Sequence, residues 1–234
     1  MSAPDFSHVE AWVFDLDNTL YPSECDLFAQ IDVRMRDWVA DFLKVSPDEA
    51  RIIQKRYYAD HGTTLKGLMA VHGADPGPYL DYVHEIELDV LEHDALLAER
   101  IAALPGARVV FTNGSVRHAE RVLEKRGLAD LFDAIFDIQA AGFEPKPARI
   151  AFDRMAKATG VAPRRAAMFE DLARNLEPAA ELGFTTVLVT TGKDWSHEPE
   201  GARPAAAGEA PDFVDHVTDD LTAFLGDLKV RKAA

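Results

Sequence analysis

Two aspartates that lie two residues apart, Asp15 and Asp17, are the best candidates for chemistry in this chain. They directly follow a short apolar run, residues 9–14, that we predict to be a buried strand. Charges beside a core are unfavourable unless they are paired or bound to a cation. Because alternate residues of an extended segment share a side, both carboxylates can face one crevice while Leu16 turns to the core. The pair predicts a metal-assisted reaction in which one carboxylate attacks and the other moves protons, with a plain Asp/Asn-rich turn as the alternative.

The elements that must position this pair alternate between strand and helix in the second half of the chain. Four β-rich runs are predicted to be strands: residues 108–112, 134–137, 166–169 and 185–189. Helices, each followed by glycine, are predicted between them at residues 116–126, 149–159 and 174–182. This alternation indicates a parallel sheet with helices on both faces. We therefore predict an α/β fold with a Rossmann-like parallel-sheet core, to which the strand near Val9 also belongs.

The region between the first strand and residue 94 has a helical pattern and no strand pattern. Helices are predicted within it at residues 25–43, 47–61, 65–72 and 79–91, and a further helix follows it at residues 95–104. The start of the second is marked by Ser46 as N-cap, followed by proline and, three residues later, Glu49. We predict an α/β core domain, residues 1–20 and 94–234, with a helical cap domain, residues 21–93, inserted after the first strand.

The C-terminal region carries two further predictions. Residues 214–217 have the pattern of a last edge strand, with Thr218 as the cap of a terminal helix. Residues 195–211, rich in Pro, Ala, Gly and Glu, are predicted to form a mobile surface loop.

The composition restricts the partners and the setting of the protein. Forty acidic and 25 basic residues give a net charge of −15, which argues against nucleic acid and anionic membranes as partners. The single cysteine, Cys25, cannot form an intrachain disulfide and fits a reducing compartment. Residues 1–8 have no signal-peptide pattern, and no apolar run approaches the length of a membrane span. We expect a soluble, cytoplasmic protein, and the sequence assigns it no oligomeric state.

Polar side chains follow the other predicted strands, at the sheet edge where ligands bind in open parallel sheets. They are residues 112–115 (Thr-Asn-Gly-Ser), Lys146 between two prolines, and the pair Glu170 and Asp171. Taken singly, each has an ordinary explanation: a turn with a helix cap, a solvated lysine, and acids that complement a helix dipole. Together with the first aspartate pair they form a set for phosphoryl transfer. Acids hold Mg²⁺, the metal and the lysine neutralise the transferred group, and the hydroxyl with backbone amides holds its oxygens.

These segments resemble the four ordered motifs of the haloacid dehalogenase-like phosphohydrolases. The motifs are residues 14–20 (FDLDNTL), residues 111–114 (FTNG), Lys146 with Pro147, and Glu170 with Asp171. The resemblance extends from residue 9 to about residue 190, and the insertion after the first motif resembles that superfamily's helical cap of the first type. Residues 21–22, 111–114 and 169–176 are most similar to its pyrimidine 5′-nucleotidase branch.

The resemblance implies catalytic roles for three residues. Asp15 is implied to be the nucleophile that forms an aspartyl-phosphate, and Asp17 to protonate the leaving oxygen and then activate water. Lys146 balances the charge of Asp15 and the phosphate. Mg²⁺ is implied to be held by Asp15, the backbone carbonyl of Asp17, and Asp171. The last motif is often Asp-Asp, so Glu170 is a departure whose contact with the metal is left open.

Substrate binding is implied at Thr112, with the backbone of Asn113 and Gly114 holding the phosphoryl oxygens. We expect a Mg²⁺-dependent phosphatase for small phosphate monoesters, with pyrimidine nucleoside 5′-monophosphates as the first candidates. The alternatives are a sugar phosphate or phosphoglycolate as substrate, a phosphomutase, and a non-catalytic phosphate-binding module. The cap is expected to close over the site and to contact the leaving group. Cap residues that can make this contact, or can instead be packed or solvated, are Arg34, Arg36, Tyr57, Tyr58, Lys66 and His72.

Overall fold

A computed structural model describes residues 3–192 and 210–231, and within them a six-stranded parallel sheet forms the centre of the molecule. The strands are β1 (Ala11–Phe14), β2 (Ala107–Phe111), β3 (Ala134–Phe136), β4 (Ala166–Glu170), β5 (Thr185–Val189) and β6 (His216–Thr218). Their order is β3-β2-β1-β4-β5-β6, and every neighbouring pair is parallel. The predicted α/β parallel-sheet fold is confirmed.

Nine α-helices accompany this sheet in the described ranges. They are α1 (Leu27–Leu43), α2 (Pro47–His61), α3 (Thr64–His72), α4 (Pro76–Val83), α5 (Ala95–Ala102), α6 (Val116–Arg126), α7 (Arg149–Thr159), α8 (Ala173–Leu182) and α9 (Leu221–Gly226). The first four pack on one another, whereas α5 packs against α9. A core–cap division at residues 21 and 93 stays a prediction. In residues 3–192 and 210–231, every helix is too short or too polar to cross a membrane.

Helix α2 begins and ends where its sequence signals predict. The Ser46 hydroxyl accepts a hydrogen bond from the Glu49 amide at 3.3 Å, and Pro47 occupies the first helical position. The helix ends at Gly62, whose φ of +87° belongs to the left-handed region that favours glycine. These local signals define the boundaries of an element whose sequence is mostly polar.

Helix α4 differs from its prediction, because it begins earlier and ends eight residues sooner than residue 91. It begins at Pro76, where the Asp75 carboxylate accepts a hydrogen bond from the Gly77 amide at 3.0 Å. Beyond the helix, the guanidinium of Arg121 donates to the carbonyls of His84 and Ile86 at 2.7 and 2.9 Å. Arg121, which is distant in sequence, thus provides these carbonyls with hydrogen bonds in place of those of a continuing helix. The prediction of a helix to residue 91 was therefore wrong.

The C-terminal prediction also needs correction. The last strand covers His216–Thr218 instead of residues 214–217. Asp220, not Thr218, caps α9: its carboxylate accepts from the Ala223 amide at 2.8 Å. Thr218 instead accepts from the Asp220 amide at 3.1 Å, which closes the turn between strand and helix. Apart from residues 210–211, the predicted loop at 195–211 lies outside the described residues.

Strand β1 is buried on both faces because it lies in the middle of the sheet. Trp12 and Phe14 pack into one apolar cluster, and Val13 packs into the cluster on the opposite face. The ring of Phe14 stacks on Phe169 of β4, with centroids 4.6 Å apart. This central strand therefore delivers the next residue, Asp15, to the middle of the sheet's carboxyl edge.

Candidate active site

The predicted site residues from three strands meet at this edge. Asp15 follows β1, Thr112 follows β2, and Glu170 ends β4, and β1 lies between the other two strands. The Asp15 amide still donates to the carbonyl of Phe169 at 2.9 Å, so the sheet holds its backbone. Asp15 and Thr112 are buried, with 6% and 1% of their surface exposed. Parallel pairing thus brings Asp15 together with groups that lie more than 90 residues later in the sequence.

Lys146 joins two of the acidic residues through a single ammonium group. Its Nζ donates to Asp15 Oδ1 at 2.6 Å, to Glu170 Oε2 at 2.7 Å and to the Phe111 carbonyl at 2.8 Å. All three donors of the ammonium are therefore used, and the side chain is 1% exposed. Asn113 holds the backbone of this lysine: its Oδ1 accepts from the Lys146 amide at 2.8 Å, and its Nδ2 donates to the Lys146 carbonyl at 3.2 Å.

The carboxylates outnumber the cation that faces them. Ligand oxygens of Asp15, Glu170 and Asp171 lie within 4.8 Å of one another. Burial and the nearby charge of Glu170 raise the pKa of Asp15 to about 8, and the same causes raise the pKa of Asp171. Burial opposes the charge of Lys146, but the two carboxylates it contacts outweigh this effect and raise its pKa. Three buried carboxyl groups around one ammonium fit a hard divalent cation such as Mg²⁺, which prefers oxygen ligands.

The three carboxylates are not equivalent as metal ligands. Glu170 accepts from Lys146 through Oε2 and from the Leu172 amide through Oε1 at 3.3 Å, so both its oxygens already have donors. Asp171 accepts one bond, from Asn18 Nδ2 to its Oδ2 at 3.3 Å. Asp15 likewise has a donor on each oxygen, because Lys146 donates to its Oδ1 and the Thr19 hydroxyl donates to its Oδ2 at 3.5 Å. Asp171 therefore has the most free acceptor capacity of the three for a cation. The predicted contribution of the Asp17 backbone carbonyl stays a prediction.

Asp17 lies beside this cluster in a different environment. Its Oδ1 accepts a hydrogen bond from the Tyr21 hydroxyl at 2.7 Å and lies 2.9 Å from His118 Nε2. Burial alone raises the pKa of Asp17, but His118 and the two hydrogen bonds outweigh it and hold the pKa below its ordinary value. In the metal-free protein, the pKa values of the two aspartates of the first motif are therefore displaced in opposite directions, upward for Asp15 and downward for Asp17. This is the reverse of what a nucleophile and a proton donor need, and a cation bound beside Asp15 would favour the ionised form of its carboxyl group. Leu16 between them is fully buried, as predicted.

The Tyr21 hydroxyl and His118 were not predicted as site residues. Tyr21 follows Asp17 by four residues and was noted only as part of the family resemblance. His118 lies in the first turn of α6, whose N-cap, Ser115, follows the predicted phosphate-binding segment. First-turn residues of a helix that begins at the ligand-binding edge of the sheet are a usable signal. That signal was available in the sequence at position 118.

The predicted phosphate-binding segment forms a tight turn at the same edge. The Gly114 amide donates to Thr112 Oγ1 at 2.9 Å, so the threonine hydroxyl can give its own hydrogen to another acceptor. A Cβ atom placed on Gly114 would lie 3.3 Å from both Thr112 Oγ1 and His118 Cδ2. Gly114 therefore keeps the turn compact and its backbone accessible. Asn113 acts through its side chain on Lys146, whereas a backbone role in binding phosphate stays a prediction.

A cavity of about 400 Å³ extends from these residues to the helices that follow β1. Its helical wall includes the apolar side chains Phe28, Leu65, Leu80 and Val83 and the polar side chains Asp32, Gln54 and Lys55. Among the six cap residues predicted to be able to contact a leaving group, Tyr58 is the one that lines this cavity. Lys66 pairs with Glu144, and Tyr57 bonds to His72. The sequence pattern does not distinguish cavity-facing residues from packed ones, because both types occur on the inner faces of these helices.

Comparison with known proteins identifies the class to which this fold and site belong. A sequence model described as haloacid dehalogenase-like hydrolase matches residues 9–183, and a second, HAD-hydrolase-like, matches residues 144–224. The parallel sheet with a carboxylate–lysine site at its carboxyl edge is thus that of a hydrolase. The chain belongs to the haloacid dehalogenase-like hydrolase family. This confirms the superfamily part of the predicted resemblance, whereas the pyrimidine 5′-nucleotidase part stays a prediction.

Curated relatives and solved structures agree with this assignment. The chain is 29% identical to enolase-phosphatase E1 of Frankia alni over 81% of its own length and 74% of that protein. It is 28% identical to phosphate metabolism protein 8 of Saccharomyces cerevisiae over 54% of its length and 42% of that protein. The fold is shared with a HAD phosphatase from Thermococcus onnurineus (TM-score 0.60, 19% identity, 94% and 99% of the two chains). It is also shared with L-2-haloacid dehalogenase from Xanthobacter autotrophicus (TM-score 0.58, 18% identity, 93% and 97%).

Proposed function

We propose that the protein is a Mg²⁺-dependent phosphatase that hydrolyses small phosphate monoesters through an aspartyl-phosphate on Asp15. The observation that carries this proposal is the bond from Lys146 Nζ to Asp15 Oδ1, at 2.6 Å, inside a buried cluster of three carboxylates. The lysine holds the nucleophile and supplies a positive charge where a phosphoryl group would arrive. A relative named as an enolase-phosphatase supports phosphate ester chemistry.

The reaction follows from the two aspartates of the first motif. A carboxylate oxygen of Asp15 attacks phosphorus, and the bond to the leaving oxygen breaks while Asp17 gives that oxygen a proton. Asp17 then takes a proton from water, whose oxygen attacks the phosphorus and returns Asp15 to its starting form. The Thr112 hydroxyl donates to a phosphoryl oxygen, and Lys146 balances its charge. Mg²⁺, when bound by Asp15 and Asp171, supplies further positive charge to the phosphoryl group.

Phosphate chemistry is favoured over the halide chemistry of the structural relatives by two features of this site. Asp17 provides a second carboxyl group that faces the cavity, as required for protonation of a leaving alkoxide. The cluster of Asp15, Glu170 and Asp171 provides the oxygen ligands for a divalent cation. Displacement of halide from carbon by a carboxylate needs neither a proton donor for the leaving group nor a metal.

The leaving group we propose is a pyrimidine nucleoside, enclosed by α1 to α4 as a cap. The cavity of about 400 Å³ reaches from the carboxylates to these helices, and its far wall combines apolar side chains with a few polar groups. Such a lining suits a ligand with a flat, partly polar ring system. Residues 21–22 and 169–176 carry the resemblance to the nucleotidase branch. The single cysteine supports a cytoplasmic enzyme, and the acidic net charge is compatible with a small phosphate substrate, which needs only local positive charge such as that of Lys146.

Phosphate release from a panel of monophosphates tests the proposal. We expect chelator-sensitive turnover of uridine or cytidine monophosphate that exceeds turnover of sugar phosphates and phosphoglycolate. Equal turnover of these smaller esters would preserve the mechanism and overturn the nucleoside assignment. Transfer of phosphate within the substrate would indicate a phosphomutase. Binding without turnover of any ester in the presence of Mg²⁺ would overturn the phosphatase assignment.

Metal binding is expected to stabilise the protein more at high pH than at low pH. In the metal-free protein, the pKa of Asp15 is raised from 3.8 to about 8, so the folded state retains a proton that the unfolded state releases. The free energy of unfolding of the metal-free protein should therefore fall as pH rises between about 4 and 8. A cation replaces this proton, and its binding strengthens over the same range.

Thermal unfolding with Mg²⁺ or with chelator, at pH 5 and pH 8, measures this effect. We expect a larger Mg²⁺-dependent increase in Tm at pH 8. The Asp171→Asn variant, which removes one carboxylate of the cluster, should reduce the increase, whereas Asp153→Asn at an exposed position of α7 should retain it. A Tm that Mg²⁺ changes equally at both pH values would contradict the prediction.

A further inference from the structure

We propose that His118 and Tyr21 are positioning residues that fix Oδ1 of Asp17 and leave Oδ2 as the atom that transfers the proton. The inference rests on the proposed function, because it concerns the delivery of a proton to the leaving oxygen of a phosphate ester. It adds two residues, one from α6 and one from the segment after β1, to the machinery of that reaction.

The hydrogen bonds at Asp17 are concentrated on one oxygen. Tyr21 and His118 lie 2.7 and 2.9 Å from Oδ1, and within the described parts of the chain no donor reaches Oδ2. The side chain of Asp17 is 18% exposed and lines the cavity, whereas His118 is fully buried. A carboxylate held through one oxygen by two buried groups has little rotational freedom. Its second oxygen is therefore the one left free for a ligand in the cavity that Asp17 lines.

The surroundings of His118 determine which of its nitrogens carries the hydrogen. Because the transferred hydrogen of Asp17 is on Oδ2, its Oδ1 can only accept hydrogen bonds, so Nε2 of His118 must be the donor. Nδ1 is buried without a hydrogen-bond partner among the described residues, and a hydrogen there would be unsatisfied. The hydrogen that the structure assigns to His118 is therefore the one on Nε2, in the bond to Asp17. His118 is thus a fixed donor whose geometry serves Asp17.

The ring of His118 is held in place by His84, from the segment that follows α4. The two imidazoles stack with centroids 4.5 Å apart and an angle of 11° between their planes. His84 Nδ1 lies 3.0 Å from Ser115 Oγ, which also accepts from the His118 amide at 3.3 Å. Since Ser115 Oγ accepts from that amide, its own hydrogen can go to His84. Four residues from three segments therefore support the orientation of Asp17.

A positioning role predicts an effect that depends on the leaving group. A nucleoside or other alkyl leaving group needs a proton as the P–O bond breaks, whereas nitrophenolate is stable without one. We expect His118→Leu to reduce kcat/KM for the best alkyl monophosphate about 10²-fold, within the usual range for loss of general acid catalysis. For 4-nitrophenyl phosphate, kcat/KM should change by only a few-fold. The value of kcat/KM reports the steps up to departure of the leaving group. Slow hydrolysis of the phosphorylated intermediate therefore does not mask the difference between the two esters.

Conservative and matched variants separate positioning from a general structural effect. His118→Gln keeps an N–H donor and should restore part of the loss for the alkyl ester, and Tyr21→Phe should reproduce the selective loss to a smaller degree. Val122→Ala, at a buried position of α6 outside this network, should affect the two substrates equally. If His118→Leu does not fold, the Gln and Phe variants carry the test. An equal fall for both esters in folded variants would overturn the inference, whereas a wild-type protein inactive on both would overturn the proposed function itself.

Discussion

Replacing Asp15 with asparagine is expected to abolish phosphate release, with a fall in kcat of about 10⁴-fold or more, as found when the nucleophile of a covalent mechanism is removed. The amide has the shape of the carboxyl group, but it does not provide the anionic oxygen that attacks phosphorus. We expect no neighbour to replace Asp15, because Glu170 is fixed by Lys146 and the Leu172 amide, and Asp17 is fixed through Oδ1 by Tyr21 and His118 at a different place in the cavity wall. Phosphate release from the best substrate of the panel measures the effect.

The fold of the Asp15→Asn variant should be preserved, since the change removes like-charge repulsion within a crowded acidic cluster. Circular dichroism and thermal unfolding check this point. Intact-mass spectrometry of acid-quenched protein should detect a phosphorylated species in the wild type and none in the variant. Asp153→Asn, a matched change at an exposed position of α7, should leave turnover unaltered. Substantial turnover by a folded Asp15→Asn variant would rule out the aspartyl-phosphate mechanism.

Replacing Lys146 with methionine is expected to impair both catalysis and folding. The ammonium is the cation that contacts Asp15 and Glu170, and its removal leaves two buried carboxylates without their partner. Loss of one partner of a buried ion pair destabilises proteins by about 3–5 kcal/mol. Loss of a preorganised charge beside the reacting group lowers kcat by about 10²–10³-fold. Urea unfolding and phosphate release measure the two effects.

The destabilisation of Lys146→Met should depend on pH in a defined direction. Since the pKa of Asp15 is raised to about 8, its carboxyl group becomes protonated as the pH falls, which removes one of the two unpaired charges, so the loss of stability should be smaller at pH 5 than at pH 8. Lys125→Met is the matched control, because it breaks an exposed pair with Asp89 and should change stability by less than about 1 kcal/mol. A Lys146→Met variant as stable and active as the Lys125→Met variant would show that the buried pair has neither role.

The sequence by itself determined the sheet and placed most of the candidate site residues at one edge of it. Strand boundaries for β2 to β5 agree with prediction to within one residue at each end. Each strand is a short apolar run between helix-boundary signals, and both features can be recognised from the local sequence. Parallel strands place their carboxyl ends at one edge. For this reason the sequence alone was sufficient to assign Asp15, Thr112, Lys146 and Glu170 to a single candidate site.

Only the tertiary structure decided how those groups are joined and what surrounds them. His118 meets Asp17 across 101 residues of sequence, and Arg121 binds the carbonyls that end α4. Asn113 supports Lys146 through its side chain, although the sequence suggested only a backbone role. Such contacts depend on how a helix docks against the sheet and on which rotamers the packing permits. The local sequence pattern shows whether a segment is a helix or a strand and which residue stands at its end. Which side chains then contact one another across the cavity depends on the fold as a whole.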